Sequence, residues 1–395
     1  MRNQYDPPQD YNEENDDNKM MLPLIEEKVN TLVDKLSEAA EEGKPINIVN
    51  LYQGLTLDVI ADVAFGVKVD SLNDPYEPFL ISCRKMFEFL DPSKLIFLFR
   101  LGEFLPELGT SLWRLFQVVM LVITTPQAEI LKKLEHVIES RQKAKLMLDA
   151  KVDDVNITED SLVMTTDDDS RQKTNKQLDS PKTSIDKSVD HLTLRATSTY
   201  EIKSQSFLFL TAGYETTSTA LSYCTYLLAM YPDVQHKLLE EIDHFLPKET
   251  KTTYDILRQM SYLHMVLCET LRLYPLASNG MDIPEGVVIL ADVWSVHHDP
   301  DIWGNDQYSF VPERFSKEAI ANRHPMAWMP FGLGPRNCVG LRFALLEAKT
   351  ALAEILRRFS FEKCSETEHQ LQLKEVGVIV PRNGVIVKLV PRKFD

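Results

Sequence analysis

The stretch from Pro330 to Gly340 constrains the fold most strongly, because two prolines and three glycines must form a tight loop directly before a helix. Cys338 lies where that helix is predicted to begin, and the free N–H groups of a helix N-terminus stabilise a thiolate. Gly332, Gly334 and Gly340 let the backbone lie close to a flat cofactor. A cysteine after a Gly-rich loop is more often a small buried residue, so this pattern alone leaves both interpretations open.

Composition excludes several classes of protein. The 395 residues are 44% hydrophobic, which is enough for a large core, and the net charge of −16 disfavours nucleic-acid binding. Five scattered cysteines predict a reducing compartment, not a disulfide framework. The acidic first 18 residues contain no signal-peptide core, and no window holds the ~18 uninterrupted apolar residues of a spanning helix. The nearest approach, 95–125, predicts either a membrane-surface contact or buried core helices.

Apolar periodicity predicts a mainly α-helical protein. Seven long helices are predicted, over 20–42, 46–67, 126–148, 206–230, 233–246, 261–274 and 339–359. A short strand is predicted over 284–290, and a terminal hairpin around Pro381 and Asn383–Gly384. The polar composition of 151–199 predicts a disordered linker or insert, or alternatively a loop ordered by a partner. These features predict an acidic disordered tail over 1–19, an N-terminal helical part over 20–150, the linker, and a core over 200–395.

Two further segments carry candidate chemistry. In the long apolar helix, the Thr216 hydroxyl can bond the carbonyl of Ala212 and loosen the helix beside Gly213. Glu215 is an acid in apolar surroundings, which predicts either a functional role or a solvated surface turn. Further along, Glu269 and Arg272 share a helix face and can pair.

The loop spells Phe-x-x-Gly-x-Arg-x-Cys-x-Gly through Phe331, Gly334, Arg336, Cys338 and Gly340. This resembles the haem-binding loop of the cytochrome P450 family, whose cysteine is the proximal iron ligand. The strings Ala-Gly-Tyr-Glu-Thr-Thr, Glu-Thr-Leu-Arg and Pro-Glu-Arg-Phe precede it in the family's order. Their wording is similar to the microsomal clan that includes the broad-specificity drug-oxidising enzymes and thromboxane synthase.

The resemblance implies a cytochrome P450 fold with a long central helix and small β elements, in which 200–395 is the haem-binding core. It implies haem b with Cys338 as axial thiolate, which pushes electron density toward O–O cleavage. Thr216 is expected to steer protons to the oxygen being activated, and Glu215 to relay them. A buried network of Glu269, Arg272 and Arg314 is expected to fix the loop. Haem contacts are expected from Arg336 at a propionate and from Phe331, Gly332, Asn337, Val339, Gly340, Ala344 and Ala212.

The implied reaction is insertion of one oxygen atom from O2 into a lipophilic small molecule. The resemblance implies electrons from NADPH-cytochrome P450 reductase, allows cytochrome b5 as a further partner, and places the protein at the cytoplasmic face of the endoplasmic reticulum membrane. The reductase is expected to dock near four cations close in sequence, Arg323, Arg336, Arg342 and Lys349. Segments 207–211, 276–278 and 376–380 are expected to line an apolar substrate pocket.

Three departures from the family's pattern leave alternatives to the monooxygenase function open. The chain is expected to be N-terminally truncated, without the family's anchor and the first haem-contacting helix. The stretch from Arg272 to Arg314 is shorter than in the clan, and the polar segment 151–199 is long. The alternatives are therefore a non-catalytic truncated chain that no longer binds haem, and a haem-thiolate isomerase of the thromboxane-synthase type.

Overall fold

The computed structural model describes residues 16–89, 198–276 and 291–393, with six helical positions between 130 and 139. Residue contacts divide the chain into two compact units, one of Met1–Lys132 with Phe207–Asp395 and the other of Lys133–Ser206. In the smaller unit, Lys203 forms an ion pair with Glu135. The predicted strand 284–290, most of the predicted helix 126–148, and the predicted linker up to residue 197 lie outside the described residues.

Helices dominate the described parts of the chain, as predicted. In chain order they are α1 (Asp16–Glu42), α2 (Ile48–Phe65), α3 (Pro78–Phe89), α4 (Thr199–Met230), α5 (Pro232–Phe245), α6 (Tyr254–Gln259), α7 (Ser261–Leu273), α8 (Val293–His297), α9 (Pro300–Trp303), α10 (Lys317–Ala321) and α11 (Leu341–Arg358). Two 3-10 turns cover Pro312–Phe315 and Pro325–Ala327.

Five short strands form two small antiparallel sheets. The strands are β1 (Ile46–Asn47), β2 (Phe359–Glu362), β3 (Leu373–Glu375), β4 (Ile379–Pro381) and β5 (Ile386–Pro391). The first sheet has the order β1-β5-β2, and the second pairs β3 with β4. Ile46 faces Val387 across the first sheet, so a strand near the start of the described chain pairs with one near its end.

The core of the larger unit lies where α1 packs on α2 and α11. The stripe of α1 that was expected to be apolar is buried, with Ile25, Val29, Leu32 and Leu36 fully inaccessible to solvent. Burying each such side chain contributes about 1.5–3 kcal/mol. The helix starts at Asp16, four residues before the predicted start, and includes Pro23.

Helix α2 begins two residues after the start of the predicted helix 46–67, because Ile46 and Asn47 pair with β5 instead. The Asn47 side chain then accepts the N–H of Val49 and caps α2. At the other end, Gly66 adopts φ 61°, the left-handed conformation that closes helices.

The central helix α4 begins at Thr199, seven residues before its predicted start at 206. A reciprocal capping arrangement explains the difference. The Ser198 N–H donates to a Glu201 carboxyl oxygen at 2.8 Å, and the Glu201 N–H donates to the Ser198 hydroxyl at 3.2 Å. The helix therefore starts at the end of the segment that was predicted to be linker.

The predicted hairpin around Asn383–Gly384 is wrong. The strands on either side of this turn join different sheets, since β4 pairs with β3 and β5 pairs with β1 and β2. The hairpin lies one turn earlier, between β3 and β4, where the Val376 N–H donates to the Val378 carbonyl. Gly384, with φ 78°, directs the chain toward Asn47, which accepts the Val385 N–H at 3.2 Å.

Candidate functional site

The loop before α11 presents an exposed thiol at Cys338. The Cys338 N–H donates to the Phe331 carbonyl at 2.8 Å, and this bond closes the loop on itself. α11 begins at Leu341 with Gly340 as its N-cap, two residues later than the predicted start at Val339. In the first turn, the Ala344 N–H donates to the Gly340 carbonyl at 2.8 Å.

The glycines of the loop leave its outer side open. Gly332 and Gly334 have φ of 71° and 86°, which side chains other than glycine rarely adopt. A Cβ at Gly334 would meet nothing within 4 Å, and one at Gly332 would meet only an Asn337 backbone atom at 3.9 Å. A flat group can therefore lie against this backbone without displacing any described atom.

The side chains around the thiol have the chemistry that haem requires. Thiolate sulfur is a good ligand for haem iron. Val339, beside it, is 81% exposed and offers an apolar contact. Arg336 is exposed and forms no ion pair with any residue that the structure describes, so it can bind a propionate. The thiol, the apolar contact from Val339 and the cation of Arg336 are therefore three independent features of the loop that fit haem.

One face of α4 is open, although the helix is otherwise largely buried. Phe209 and Ala212 are exposed and Thr216 is partly exposed, and their spacing of three and four residues places them on one side of the helix. The Thr216 hydroxyl donates to the Ala212 carbonyl at 2.7 Å, the hydrogen bond expected from the sequence. This face can border a bound group with an apolar surface and one hydroxyl.

Glu215 lies on a different side of α4 and is only 5% exposed. Its carboxyl group accepts a hydrogen bond from the Gln53 amide of α2 at 3.3 Å. Burial raises the pKa of Glu215 to about 7, against the opposing effects of Gln53, Lys374 and Arg84. The acid can therefore gain and release a proton near neutral pH. Glu215 was predicted from the sequence, but Gln53 was not. The feature that could have indicated Gln53 is its polar amide within the mostly apolar helix α2.

Glu269, Arg272 and Arg314 come together beneath the loop. Arg272 and Glu269 are both fully buried, and two hydrogen bonds of 2.7 and 2.8 Å join them. The Arg314 Nε lies 3.5 Å from the Glu269 carboxylate, and its guanidinium also donates to the Trp303 carbonyl. Burial raises the pKa of Glu269, while the two arginines oppose that shift. The structure thus brings these three side chains together.

His297 connects this network to the loop and was not found from the sequence. Arg272 donates to the His297 carbonyl at 2.9 Å, and the His297 Nε2 accepts the Met329 N–H at 3.0 Å. Met329 directly precedes Pro330, the first residue of the loop. Burial lowers the pKa of His297 to about 3, so the ring stays neutral and remains an acceptor.

Parts of the expected substrate-pocket lining also come together. The Ile379 N–H donates to the Leu276 carbonyl at 2.9 Å, and the Ile379 carbonyl accepts the Tyr223 hydroxyl at 2.9 Å. Leu208 is 57% exposed on α4. Residues 277 and 278 lie outside the described residues.

The described residues contain no group of three or more His, Cys, Asp or Glu side chains that could hold a metal ion. Among the described helices, α2 is long and apolar enough to cross a membrane, and 56% of it is buried inside the protein.

Comparison with known proteins points to the same family that the sequence motifs resemble. The family model described as Cytochrome P450 matches residues 12–389. The chain is similar to Cytochrome P450 3A11 of Mus musculus, with 38% identity over 389 residues. It is also similar to Cytochrome P450 3A12 of Canis lupus familiaris at 37% identity and to Cytochrome P450 3A9 of Rattus norvegicus at 38% identity. Each alignment covers 95% of this chain and 70% of the relative.

Proposed function

This chain belongs to the cytochrome P450 family of haem-thiolate monooxygenases, and from this premise we propose that Cys338 is its axial iron ligand and that it oxidises lipophilic small molecules. The observation that carries the proposal is the exposed Cys338 thiol on a loop whose outer side is open. Arg336 and Val339 support it with a cation and an apolar contact beside the sulfur.

Bound at this loop, haem would supply the centre at which dioxygen is activated. The protein's own contribution is to hold the thiolate, through the Cys338–Phe331 hydrogen bond and the buried network below it. On α4, Thr216 presents a hydroxyl on the open face and Glu215 holds an exchangeable proton one residue away. No hydrogen bond joins these two side chains in the described structure, so a water molecule or a rotation of Glu215 would have to connect them.

Electrons would come from NADPH-cytochrome P450 reductase, with cytochrome b5 as a further donor. The expected docking cations are only partly suitable. Lys349 directs its ammonium group inward to the Leu257 carbonyl at 3.0 Å, and burial lowers its pKa to about 8. Arg323 stacks over the rings of Trp303 and Phe315. Arg336 and Arg342 therefore remain as the cations that support docking beside the loop.

The family relationship also supports a location at the endoplasmic reticulum membrane, on the cytoplasmic face. The apolar residues exposed on α4 support a lipophilic substrate. The Glu215–Thr216 pair favours dioxygen activation over the isomerase alternative, because an isomerase of this type needs no proton delivery to oxygen.

The test is the carbon-monoxide difference spectrum of the purified chain after haem is added and reduced. We expect the absorption band of thiolate-ligated haem in the wild type and its loss in Cys338→Ser. Cys364→Ser is the matched control, because Cys364 is a partly exposed thiol outside the loop, and it should keep the band. Folded wild-type protein without the band would refute the proposal. With the band present, reductase and NADPH should produce an oxygenated product from a lipophilic probe.

A further inference from the structure

Glu215 is held from a helix far away in sequence. The Gln53 Nε2 donates to the Glu215 Oε2 at 3.3 Å, and the two residues are 162 positions apart. The same turn is fixed by a second contact, in which the Thr56 hydroxyl donates to the Tyr214 carbonyl at 2.8 Å. The carboxyl group of Glu215 therefore faces α2, and not the open face of α4 on which Thr216 lies.

Gln53 is in turn held by a cation. The Arg84 Nε of α3 donates to the Gln53 Oε1 at 3.0 Å, so both ends of the amide are engaged and its orientation is fixed. The Arg84 Nη2 lies 3.5 Å from the side-chain oxygen of Asn50, which is exposed. The arrangement thus runs from a buried acid, through one amide and one guanidinium, to the protein surface.

The charged and titratable groups that face Glu215 come from several elements. Arg84 of α3 and Lys374 of β3 both favour its ionised form, as does the hydrogen bond from Gln53. Tyr214 and Tyr223 also lie near it on α4, and the pKa of each is raised well above its usual value, first by burial and also by the Glu215 charge. Burial opposes ionisation, and the balance places the pKa of Glu215 at about 7.

We propose that Gln53 is a positioning residue for Glu215. The Gln53 amide holds the Glu215 carboxyl group through its nitrogen and is itself held by the Arg84 guanidinium through its oxygen. An amide gives up no proton near neutral pH, so Gln53 orients the acid and does not itself relay protons. The proposal rests on the proposed function, in which Glu215 supplies protons on the Thr216 side.

Two substitutions separate orientation from simple packing. Gln53→Leu keeps the approximate size and removes the donor, so we expect the pKa of Glu215 to rise by about one unit. Gln53→Glu places a second carboxyl group beside Glu215, and we expect a larger rise because two adjacent carboxylates cannot both ionise freely. Gln259→Leu is the matched control, since among the described residues the Gln259 amide donates to the Asp255 backbone carbonyl alone, on an exposed surface.

The readout is the infrared C=O band of protonated Glu215, whose intensity is measured at each pH during a titration of the protein without haem. Glu215→Gln removes the band and so identifies it, and circular dichroism establishes that each variant is folded. An unchanged titration midpoint in folded Gln53→Leu, or an equal shift in Gln259→Leu, overturns the proposal.

A second readout separates this proposal from the proposed function. In haem-loaded protein with reductase, turnover that needs protonated Glu215 falls as pH rises through its pKa, so the alkaline limb of the pH profile should move to higher pH with the infrared midpoint in Gln53→Leu. A moved infrared midpoint with an unmoved pH profile supports the positioning role and refutes proton supply by Glu215. A chain that binds no haem refutes the proposed function, while the infrared titration still decides the role of Gln53.

Discussion

The Glu269 carboxylate and the Arg272 guanidinium are both removed from solvent, and each depends on the other for its stability. Arg272 also donates to the backbone carbonyls of His297, Gln307 and Ser309. A buried pair of this kind is no guarantee of high stability, but removing one partner leaves an uncompensated charge. At the residue scale, the contacts of Arg272 with Glu269 and His297 connect this buried pair to the segment that leads into the Cys338 loop.

We expect Arg272→Met to lower the free energy of unfolding by about 3–5 kcal/mol, because the buried Glu269 charge loses the arginine that donates two short hydrogen bonds to it. Urea unfolding monitored by circular dichroism measures the change. Lys44→Met is the control, since Lys44 pairs with Glu42 at the surface and should lose less than about 1 kcal/mol. Similar losses of unfolding free energy in the two variants would show that the buried pair contributes no more to stability than a surface pair.

Glu347 of α11 is a further buried acid, and neither of its carboxyl oxygens has a hydrogen-bond partner among the described residues. Burial raises its pKa well above the usual 4.5. The folded state therefore keeps a proton that the unfolded chain releases. Above pH 4.5, this group makes stability fall as pH rises, by at most about 1.4 kcal/mol per pH unit.

Glu347→Gln should remove this part of the pH dependence and stabilise the protein at pH 7 by about 1–3 kcal/mol. Unfolding in urea at several pH values between 5 and 8 measures both effects. The control is Glu362→Gln on β2, where the side chain is exposed. If wild type and Glu347→Gln have parallel stability–pH curves, the acid is ionised in the folded state and our assignment is wrong.

The spacing of residues along the sequence predicted side-chain contacts within a helix, and the family resemblance predicted the contact of Arg314 with Glu269. The Glu269–Arg272 pair and the Thr216–Ala212 hydrogen bond follow from the fixed spacing of three or four residues along a helix. The Gln53–Glu215 contact could not be predicted in this way, because packing alone brings these two helices together. The haem contacts expected on Arg336 and on the rest of the loop stay predictions.

At the element scale, helix interiors were predicted well, and their ends depend on local caps. Apolar spacing located α1, α5, α7 and α11 within a few residues. The start of α4 was missed because its Ser-x-x-Glu capping box lies inside a polar segment. The C-terminal hairpin was misplaced because a turn signal such as Asn383–Gly384 indicates a reversal of direction, and not which strands then pair.

Gly384→Ala tests the corner at which β5 leaves that turn. A Cβ there would lie 2.3 Å from the Asn47 side chain, in addition to the strain of φ 78°. We expect a loss of about 2–4 kcal/mol in the free energy of unfolding, from both effects together. Gly43→Ala is the control, because Gly43 has φ 65° but a Cβ there meets nothing within 4 Å, and it should lose only about 1 kcal/mol.

The same clash predicts how two substitutions combine. In the double variant Gly384→Ala with Asn47→Gly, the contact is relieved, so the combined loss should be smaller than the sum of the single losses. Additive losses measured by thermal unfolding would show that backbone strain alone limits this position.

At the scale of the whole molecule, bound haem should stabilise the fold. If haem binds only the native protein, a free concentration of about 100 times its Kd adds about 2.7 kcal/mol. We expect a higher Tm for the wild type and Cys364→Ser in calorimetry with haem, and a smaller shift for Cys338→Ser. Equal shifts in all three proteins would indicate that the porphyrin binds elsewhere on an apolar surface.

The pairing of Ile46 with Val387 has a consequence for how the chain is made. During synthesis, β1 emerges from the ribosome long before β5, so its backbone groups stay unpaired until β5 has been made. Closing so long a loop is slow, although its extra entropic cost grows only with the logarithm of its length. Translation that stops before Ile386 therefore leaves β1 without the strand with which it pairs.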